Sequence, residues 1–330
     1  MHILAGDIGG TSARLALFDA TGTTPRLLAR ATYPSPAFPG IEPILAEFLG
    51  AQPTRPAAIA LGVAGPVREG ACRTTNLPWV LSAPAIAAAT TVPNAWLLND
   101  LEAAAWGVEA VDAADRVVLQ AGEPDPRGNQ SVVAAGTGFG EAGRVWLDGA
   151  YRPFASEGGH ADFAPADALD FAFLRWLQAS HGHASWDRIV SGPGIVAIHD
   201  FLRAERRVPV AGPLADAIAA GDPAAAIAEA ALAGSDAVCV ETLDRFLGYF
   251  GAEAGNHALK LMATGGVFVT GGIAPKVLPR LASGPFLGAF RAKGRMTELM
   301  QRMPVTVLCD GDAGLKGAAL FGRRMMAAGR

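Results

Sequence analysis

Two glycine-rich turns are the places where this sequence could bind an anion. Each follows a short apolar run and precedes alternating apolar and polar residues, which predicts a strand, a turn and a second strand. Backbone N–H groups that point into such a turn form a nest for phosphate oxygens. An ordinary hairpin would explain either turn alone, whereas the pair favours nucleotide binding. The turn residues are Gly6, Asp7, Ile8, Gly9, Gly10 and Thr11 in the first and Gly136, Thr137 and Gly138 in the second.

The same turns disfavour two common nucleotide-binding folds. The chain has no Gly-x-x-x-x-Gly-Lys-[Ser/Thr] string, and neither turn is a Gly-x-Gly-x-x-Gly that leads into a helix. Neither turn contains a lysine, so backbone N–H groups and a divalent cation would have to balance phosphate charge. Asp7 is the candidate ligand for Mg²⁺, through water, because Mg²⁺ keeps several of its waters.

Strands alternate with helices along the chain, which predicts an α/β fold. The two strand–turn–strand units indicate two related halves that each offer one turn to a shared cleft. Helices are predicted at residues 41–49, 101–106, 165–178, 193–205, 313–328 and in the long region 224–262. Stretches rich in Pro and Gly at 121–129 and 211–223 predict loops. A third strand, 267–269, ends at Thr270-Gly271-Gly272.

The composition narrows the class of protein. A length of 330 residues suggests two domains or one large one. The chain has 27 Lys and Arg against 31 Asp and Glu, a net charge of −4, which argues against nucleic acid or an anionic membrane as a partner. We expect no transmembrane helix and no signal peptide. The 3 cysteines are scattered and form no Cys-x-x-Cys, so a reducing cytoplasm is expected.

Several motifs together resemble the bacterial glucokinase family, a member of the hexokinase–actin-like ATPase superfamily. They follow the family's order and spacing over nearly the whole chain. Besides the first turn they are Leu98-Asn99-Asp100, Gly136-Thr137-Gly138, Glu157-Gly158-Gly159-His160, Ser191-Gly192-Pro193-Gly194 and Thr270-Gly271-Gly272-Ile273.

This resemblance implies an enzyme that uses ATP and Mg²⁺ to phosphorylate the 6-hydroxyl of D-glucose, giving glucose 6-phosphate and ADP. It also implies a two-domain actin-like ATPase (ribonuclease H-like) fold with an interdomain cleft. The small α/β domain would span residues 1–110 plus about 311–330, and the large α/β domain 111–310. Glucose and MgATP would be the partners, and a homodimer is implied by the resemblance alone.

Asn99 and Asp100 lie between an apolar strand and a predicted helix, where side chains of open α/β sheets face the ligand crevice. By the resemblance, Asp100 is the general base that takes the proton of the sugar 6-hydroxyl, and Asn99 hydrogen-bonds to a neighbouring hydroxyl. The alternative is structural, because Asn99 and Glu102 have the spacing of a capping box at the start of a helix.

Glu157 and His160 flank two glycines. A carboxylate can accept hydrogen bonds from two adjacent sugar hydroxyls, a neutral imidazole can donate or accept, and glycine lets the backbone approach closely. These residues are therefore candidate sugar ligands. A turn with a core histidine is one alternative, and a metal site of His160 with Asp162 is another.

The chain departs from the family pattern at two positions. The family usually carries Glu where this chain has Asp187, so the resemblance implies a sugar ligand shortened by one methylene. Glu141 stands where a small or apolar residue is usual, and on its strand it is expected to face outward. The resemblance also implies a sugar-side role for Asn76 and an adenosine contact at Gly271 and Gly272.

Two other functions stay open at this level. Asp187 alters one sugar contact, so the chain could be a kinase for another hexose or an amino sugar. A non-catalytic sugar-binding sensor is the alternative from a different class. Asp7 and Asp100 disfavour it, since a sensor needs neither a metal ligand nor a base. A repressor relative is expected to carry an N-terminal helix-turn-helix, and related ROK proteins a Cys-rich zinc motif.

Overall fold

The computed structural model describes residues 1–74, 77–210 and 212–329. The chain divides into two compact units. The first comprises Met1–Asp115, Ala150–Ala155 and Asp310–Arg330, and the second comprises Arg116–Gly149 and Ser156–Cys309. The division predicted from the sequence falls at residues 110 and about 311 and keeps residues 150–155 in the second part.

Most strands are short apolar runs bounded by Gly, Pro, Asn or Asp, as turn chemistry favours. In chain order they are β1 (His2–Ile8), β2 (Ser12–Asp19), β3 (Arg26–Pro34), β4 (Ala58–Val63), β5 (Ala71–Arg73), β6 (Val80–Ser82), β7 (Ala95–Asn99), β8 (Arg116–Gln120), β9 (Gln130–Ala135), β10 (Phe139–Leu147), β11 (Ala150–Ser156), β12 (Gly266–Thr270) and β13 (Val305–Leu308).

The helices begin at Ser, Asp, Asn or Gly caps in many cases, which is where helix starts are favoured. They are α1 (Ile41–Gly50), α2 (Ala83–Thr90), α3 (Asp100–Gly107), α4 (Ala168–His181), α5 (Trp186–Ile189), α6 (Gly192–Arg206), α7 (Gly212–Ala220), α8 (Pro223–Ala233), α9 (Ala237–Leu261), α10 (Leu278–Leu281), α11 (Pro285–Arg291), α12 (Thr297–Arg302) and α13 (Ala313–Ala327).

Two predictions about helices are wrong. The predicted loop at 211–223 contains α7, because Leu, Ile and Ala after the opening Gly-Pro are good helix formers. The region 224–262 is two helices. Gly234, at φ 65°, ends α8, and the Asp236 side chain caps α9 by accepting from the Val238 and Cys239 N–H groups. Among the described residues no single helix could cross a membrane by length and composition, although α8 and α9, bent by 105°, together meet that test.

The sheet of the first unit has the strand order β3-β2-β1-β4-β7. β1 pairs antiparallel with β2 and parallel with β4, and β7 pairs parallel with β4. β4 is buried along its whole length, because helices cover both faces of a parallel strand. Helix α13 packs on β1, and its Leu315 and Ala318 join Ile3 and Ala5 in one apolar cluster. The C-terminal helix thus belongs to the core of the first unit.

In the sheet of the second unit, the run β10-β9-β12-β13 has the same order and strand directions as β2-β1-β4-β7 of the first, and β8 adds an antiparallel strand beside β13. β9 pairs antiparallel with β10 and parallel with β12, and β13 continues the parallel run. Helix α9 supplies two of the largest fully buried side chains of this unit, Phe246 and Phe250. An antiparallel pair beside parallel strands therefore occurs in both units, as expected for two related halves.

Candidate active site

The first glycine turn joins β1 to β2 and is held from two sides. The Gly9 N–H donates to the Ser12 carbonyl at 3.0 Å, which closes the hairpin. Ser35 holds the outer side, since its Oγ donates to the Gly9 carbonyl at 2.8 Å and its N–H to the Thr11 carbonyl at 3.1 Å. Within the described parts of the chain, the backbone N–H groups of Gly10 and Thr11 donate to no protein acceptor. These two groups, rather than that of Gly9, can receive phosphate oxygens.

Two residues predicted to bind nucleotide in this turn serve the sheet. Gly6 is buried, and a Cβ there would lie 2.5 Å from Leu61 Cδ2. Ile8 is 1% exposed and packs in the core of the first unit. Close packing of β1 against β4 accounts for both residue types without a ligand.

Asp7 forms an ion pair that the sequence motifs do not predict. In the β1–β2 register Asp7 lies opposite Arg14. The guanidinium Nε donates to Asp7 Oδ2 at 3.1 Å, and Nη2 donates to the same oxygen. Arg14 also donates to the Gly311 carbonyl at 2.8 Å and lies 3.8 Å from Asp312 Oδ1. Pairing residues outward from the turn places residue 7 opposite residue 14, so the hairpin pattern in the sequence could have predicted this ion pair.

The capping alternative for Asn99 is correct. Asn99 Oδ1 accepts from the N–H groups of Leu101 at 2.9 Å and Glu102 at 3.2 Å, and its Nδ2 donates to the Gly65 carbonyl at 3.4 Å. The Glu102 carboxyl in turn accepts from the Asn99 N–H, and burial raises the pKa of Glu102. The box fixes the start of α3, where Asp100 is the first helical residue and partly exposed.

The second glycine turn, between β9 and β10, is held by a carboxylate. Gly136 N–H donates to the Gly138 carbonyl at 2.8 Å, and Gly192 N–H donates to the Gly136 carbonyl at 2.8 Å. Asp187 Oδ1 accepts from the Phe139 N–H at 2.8 Å, and a Cβ on Gly138 would lie 2.7 Å from that oxygen. The side chain predicted as a shortened sugar ligand therefore also fixes this turn.

A pocket of about 470 Å³ opens on one side of the second turn. Gly271, at φ +92°, packs so closely on Ala135 that a Cβ would overlap the Ala135 carbonyl oxygen, whereas a Cβ on Gly272 would meet nothing within 4 Å. The sequence motifs predict Gly136, Thr137 and Gly272 of this lining as nucleotide-binding residues. The pocket is lined by Gly136, Thr137, Gly192, Pro193, Ile195, Val196, Asp222, Pro223, Ala224, Ala225, Ala228, Gly272, Ile273, Lys276 and Val277.

Glu157 and His160 lie on an exposed loop. Gly158–His160 form one 3₁₀ turn, closed by the His160 N–H on the Glu157 carbonyl at 3.0 Å. The side chains are 48% and 60% exposed, with His160 Nε2 3.8 Å from Glu157 Oε2. The core-histidine alternative is therefore wrong, and both side chains are free to face a polar ligand.

This loop packs directly on the second turn. A Cβ on Gly159 would overlap the Phe139 carbonyl oxygen, and the N–H of the same Phe139 donates to Asp187. Glu141, two residues further along β10, is 1% exposed and lies against Gly158, so the expectation that it faces outward is wrong. One short stretch of β10 thus contacts the turn, Asp187 and the Glu157–His160 loop.

Two predictions from the sequence remain: a metal site of His160 with Asp162, and a sugar ligand at Asn76. Asp162 Oδ1 lies 2.8 Å from His183 Nε2, so its imidazole partner is His183, whereas His160 lies near Glu157. Within residues 1–74, 77–210 and 212–329, no group of three His, Cys, Asp or Glu could hold a metal ion. Asn76 lies outside the described residues.

Comparisons with known proteins agree with the motifs. The glucokinase family model matches residues 4–325. A glucokinase of Synechocystis sp. PCC 6803 is 40% identical over 345 residues, 97% of each chain. A glucokinase structure from an Antarctic psychrotroph is 32% identical, with a TM-score of 0.82 over 98% of this chain and 99% of that one. The Balamuthia mandrillaris glucokinase, in complex with glucose, is 20% identical with a TM-score of 0.81 over 98% and 93%, a likeness of fold. The predicted actin-like α/β fold is confirmed.

Proposed function

Because the chain belongs to the glucokinase family, we propose that it transfers the γ-phosphoryl group of ATP to the 6-hydroxyl of D-glucose, releasing glucose 6-phosphate and ADP. One observation carries the proposal. In the second unit, Gly136 and Thr137 of the second turn line a pocket, and Phe139, the residue after the turn, packs on Gly159 of the Glu157–His160 loop. Such a turn can hold a nucleotide's phosphates beside a polar ligand.

The pocket suits an adenosine group. Its volume of about 470 Å³ and its mainly apolar lining with few polar groups are typical of sites for small organic ligands. Gly272 leaves room for a flat ring against bare backbone, and Lys276 and Asp222 are the charged groups at the wall. The turn then meets the phosphates with backbone N–H groups, as nests do.

In this proposal the exposed Glu157–His160 loop binds the sugar. Glu157 accepts hydrogen bonds from adjacent hydroxyls, and His160 donates or accepts as needed. Asp187 has its Oδ1 engaged by the Phe139 N–H, which leaves Oδ2 for a sugar hydroxyl or a bridging water. Asn99 is more constrained, since its oxygen caps α3 and one N–H of its Nδ2 donates to the Gly65 carbonyl, which leaves the second N–H as a donor toward a hydroxyl.

Asp100 is the general base in this proposal. It is the first residue of α3, and its Oδ1 accepts from the Leu101 N–H at 2.9 Å. The capping box fixes the backbone on either side of it, so its carboxylate has a defined direction. Taking the hydroxyl proton as the 6-oxygen attacks the γ-phosphorus contributes about 10²–10⁴-fold in rate. Most of the remaining catalysis in phosphoryl transfer is positioning and charge neutralisation.

The residues present fit a Mg²⁺ ion that binds together with the nucleotide rather than at a site made by the protein alone. Mg²⁺ is commonly bound through one or two carboxylates plus substrate phosphates, and no three-ligand cluster exists among the described residues. Asp7 has one oxygen engaged by Arg14, and Oδ1 remains to hold a water of the cation. When bound, Mg²⁺ would neutralise phosphate charge. Asp7 and Arg14 would orient the first turn beside it.

We place this reaction at the start of glycolysis in the cytoplasm. Glucose 6-phosphate is the form in which glucose enters that pathway. The three cysteines, Cys72, Cys239 and Cys309, are all free thiols, as a reducing compartment favours. A homodimer stays an expectation of the family resemblance.

The test is a panel of sugars with MgATP, scored by ADP release and by identification of the phosphorylated position. Glucose should give the highest kcat/KM, with mannose, fructose, glucosamine and N-acetylglucosamine as competitors. A different preferred hexose or amino sugar would point to Asp187. Sugar binding with no ADP release by any sugar would favour the sensor and overturn the proposal.

A further inference from the structure

A buried carboxyl pair lies under the Glu157–His160 loop and has no part in the proposed reaction. Glu141, on β10, is 1% exposed, and Glu253, on α9, is 0% exposed. Glu141 Oε1 accepts no hydrogen bond within the described residues. Burying carboxyl groups with incomplete pairing is costly. A site that bears this cost is a candidate for a functional role.

Glu141 touches the loop at its glycine. A Cβ on Gly158 would overlap Glu141 Oε2 and would lie 3.1 Å from Ser156 Oγ. The Gly158 N–H donates to the same Ser156 Oγ at 3.0 Å. The backbone next to Glu157 therefore packs on the Glu141 carboxyl group and is hydrogen-bonded to Ser156.

We propose that Glu141 is a positioning residue for sugar binding: its buried carboxyl group supports Gly158 and so sets the height and direction of the Glu157 and His160 side chains. This rests on the proposed function, in which those two side chains receive the sugar hydroxyls. Glu141 itself touches neither substrate.

The charged groups around Glu141 come mainly from α9. Glu253 is its carboxyl partner, His257 Nε2 lies 3.9 Å from Glu141 Oε2, and Lys260 Nζ lies 3.5 Å from Glu253 Oε1. The His257 Nδ1 lies 2.8 Å from the Ser131 Oγ. Burial first, and then Lys260, lowers the pKa of His257 to about 4, so the imidazole is neutral near pH 7.

Two further cations lie on other elements. Lys293, after α11, donates to Asn256 Oδ1 at 2.7 Å, and Asn256 Nδ2 donates to Glu253 Oε2 at 2.7 Å. Arg144, on the same strand as Glu141, donates to Gln130 Oε1. Lys260 therefore lies beside Glu253, and Lys293 reaches Glu253 through Asn256.

The buried Glu141–Glu253 pair makes the contact of Glu141 with Gly158 depend on pH. Burial first, and then the Glu253 charge, raises the pKa of Glu141 to about 8, so the group is a neutral acid at pH 7. Above that pKa a second negative charge forms beside Glu253 in a dry site, and the repelled carboxylate pushes against Gly158. If only the neutral form supports the loop, the competent fraction falls about tenfold per pH unit above the pKa, and the glucose KM rises in proportion.

The deciding experiment measures glucose KM and ATP KM from pH 6.5 to 9.5 for the wild type and Glu141→Gln. Gln keeps the shape and cannot ionise. We expect the wild-type glucose KM to be about tenfold higher at pH 9 than at pH 7, with ATP KM within about twofold. Glu141→Gln should match the wild type at pH 7 and lose the alkaline rise. Glu298→Gln, which removes an exposed carboxylate of the same unit, should keep the wild-type profile.

A second comparison tests the contact itself. Gly158→Ala should raise glucose KM about tenfold at pH 7, and the double variant Gly158→Ala with Glu141→Ala should recover part of that loss, because the added methyl group enters the vacated space. Strictly additive effects, or an alkaline rise that persists in Glu141→Gln, would overturn the proposal. Either result in an enzyme that phosphorylates glucose leaves the proposed function standing. A wild type that phosphorylates no sugar overturns both.

Discussion

The two glycine turns have the same topology and different surroundings. Each joins an antiparallel pair that borders a parallel strand, β4 in the first unit and β12 in the second. The first turn contains one half of an ion pair, because Asp7 accepts a hydrogen bond from the Arg14 guanidinium. The second contains no charged residue and is fixed from outside by the Asp187 carboxylate.

This difference shows how one backbone pattern is adapted to two tasks. In the first turn a Cβ on Gly9 would approach only the Ser12 carbonyl oxygen, at 3.3 Å, so the backbone there would have to shift by a few tenths of an ångström. The second is tight, because Gly138 lies against Asp187 and the neighbouring Phe139 against Gly159. A methyl group on Gly138 must therefore displace the Asp187 carboxylate that holds Phe139, whereas one on Gly9 requires only that small backbone shift.

The largest effect is expected at the start of α3 in the first unit. Asp100→Asn keeps the size of the side chain and one acceptor for the Leu101 N–H, and it cannot take a proton. We expect kcat to fall at least about 100-fold, with both KM values within about threefold. Asp112→Asn, an exposed change in the same unit, is the control and should behave as wild type. A kcat within threefold of wild type would remove Asp100 as the base.

The next effect separates the two jobs of Asp187. Asp187→Ala removes the acceptor for the Phe139 N–H, a bond to a charged group worth about 1.5–3 kcal/mol. We expect both the ATP KM and the glucose KM to rise about tenfold or more, measured by steady-state kinetics. Glu157→Ala, by contrast, should raise the glucose KM alone. An unchanged ATP KM in Asp187→Ala would mean that the carboxylate serves only the sugar.

The smallest effect is expected at the ion pair of the first turn. Arg14 and Asp7 are 33% and 28% exposed, and a pair so open to water contributes only about 0–1 kcal/mol. Arg14→Gln should lower the Tm by no more than about 4 °C and raise the ATP KM less than about threefold. A rise beyond tenfold would show that Arg14 contacts the phosphates directly.

Local patterns predicted much of this molecule. The alternation around both turns, the capping spacing of Asn99 and Glu102 and the periodicity of α13 depend on near neighbours, and the structure agrees with them. The break between α8 and α9 was missed because Gly234 lies within a long apolar pattern. The partner of Asp187 could not be predicted, since Phe139 is 48 residues away in sequence. Glu141 was misjudged because a buried carboxyl contradicts residue preference and needs the tertiary contacts of α9 to explain it.

If the second turn serves both the nucleotide pocket and the Glu157–His160 loop, a change in that turn must affect both substrates. The most direct measurement is the pair of KM values, for ATP and for glucose, in Gly138→Ala and in the matched variant Gly9→Ala. In Gly138→Ala the new methyl group displaces the Asp187 carboxylate, so both KM values should rise about tenfold or more. In Gly9→Ala the ATP KM should rise less than about threefold, with glucose unaffected. Equal effects of the two variants, or a Gly138→Ala variant in which only one KM changes, would contradict the claim.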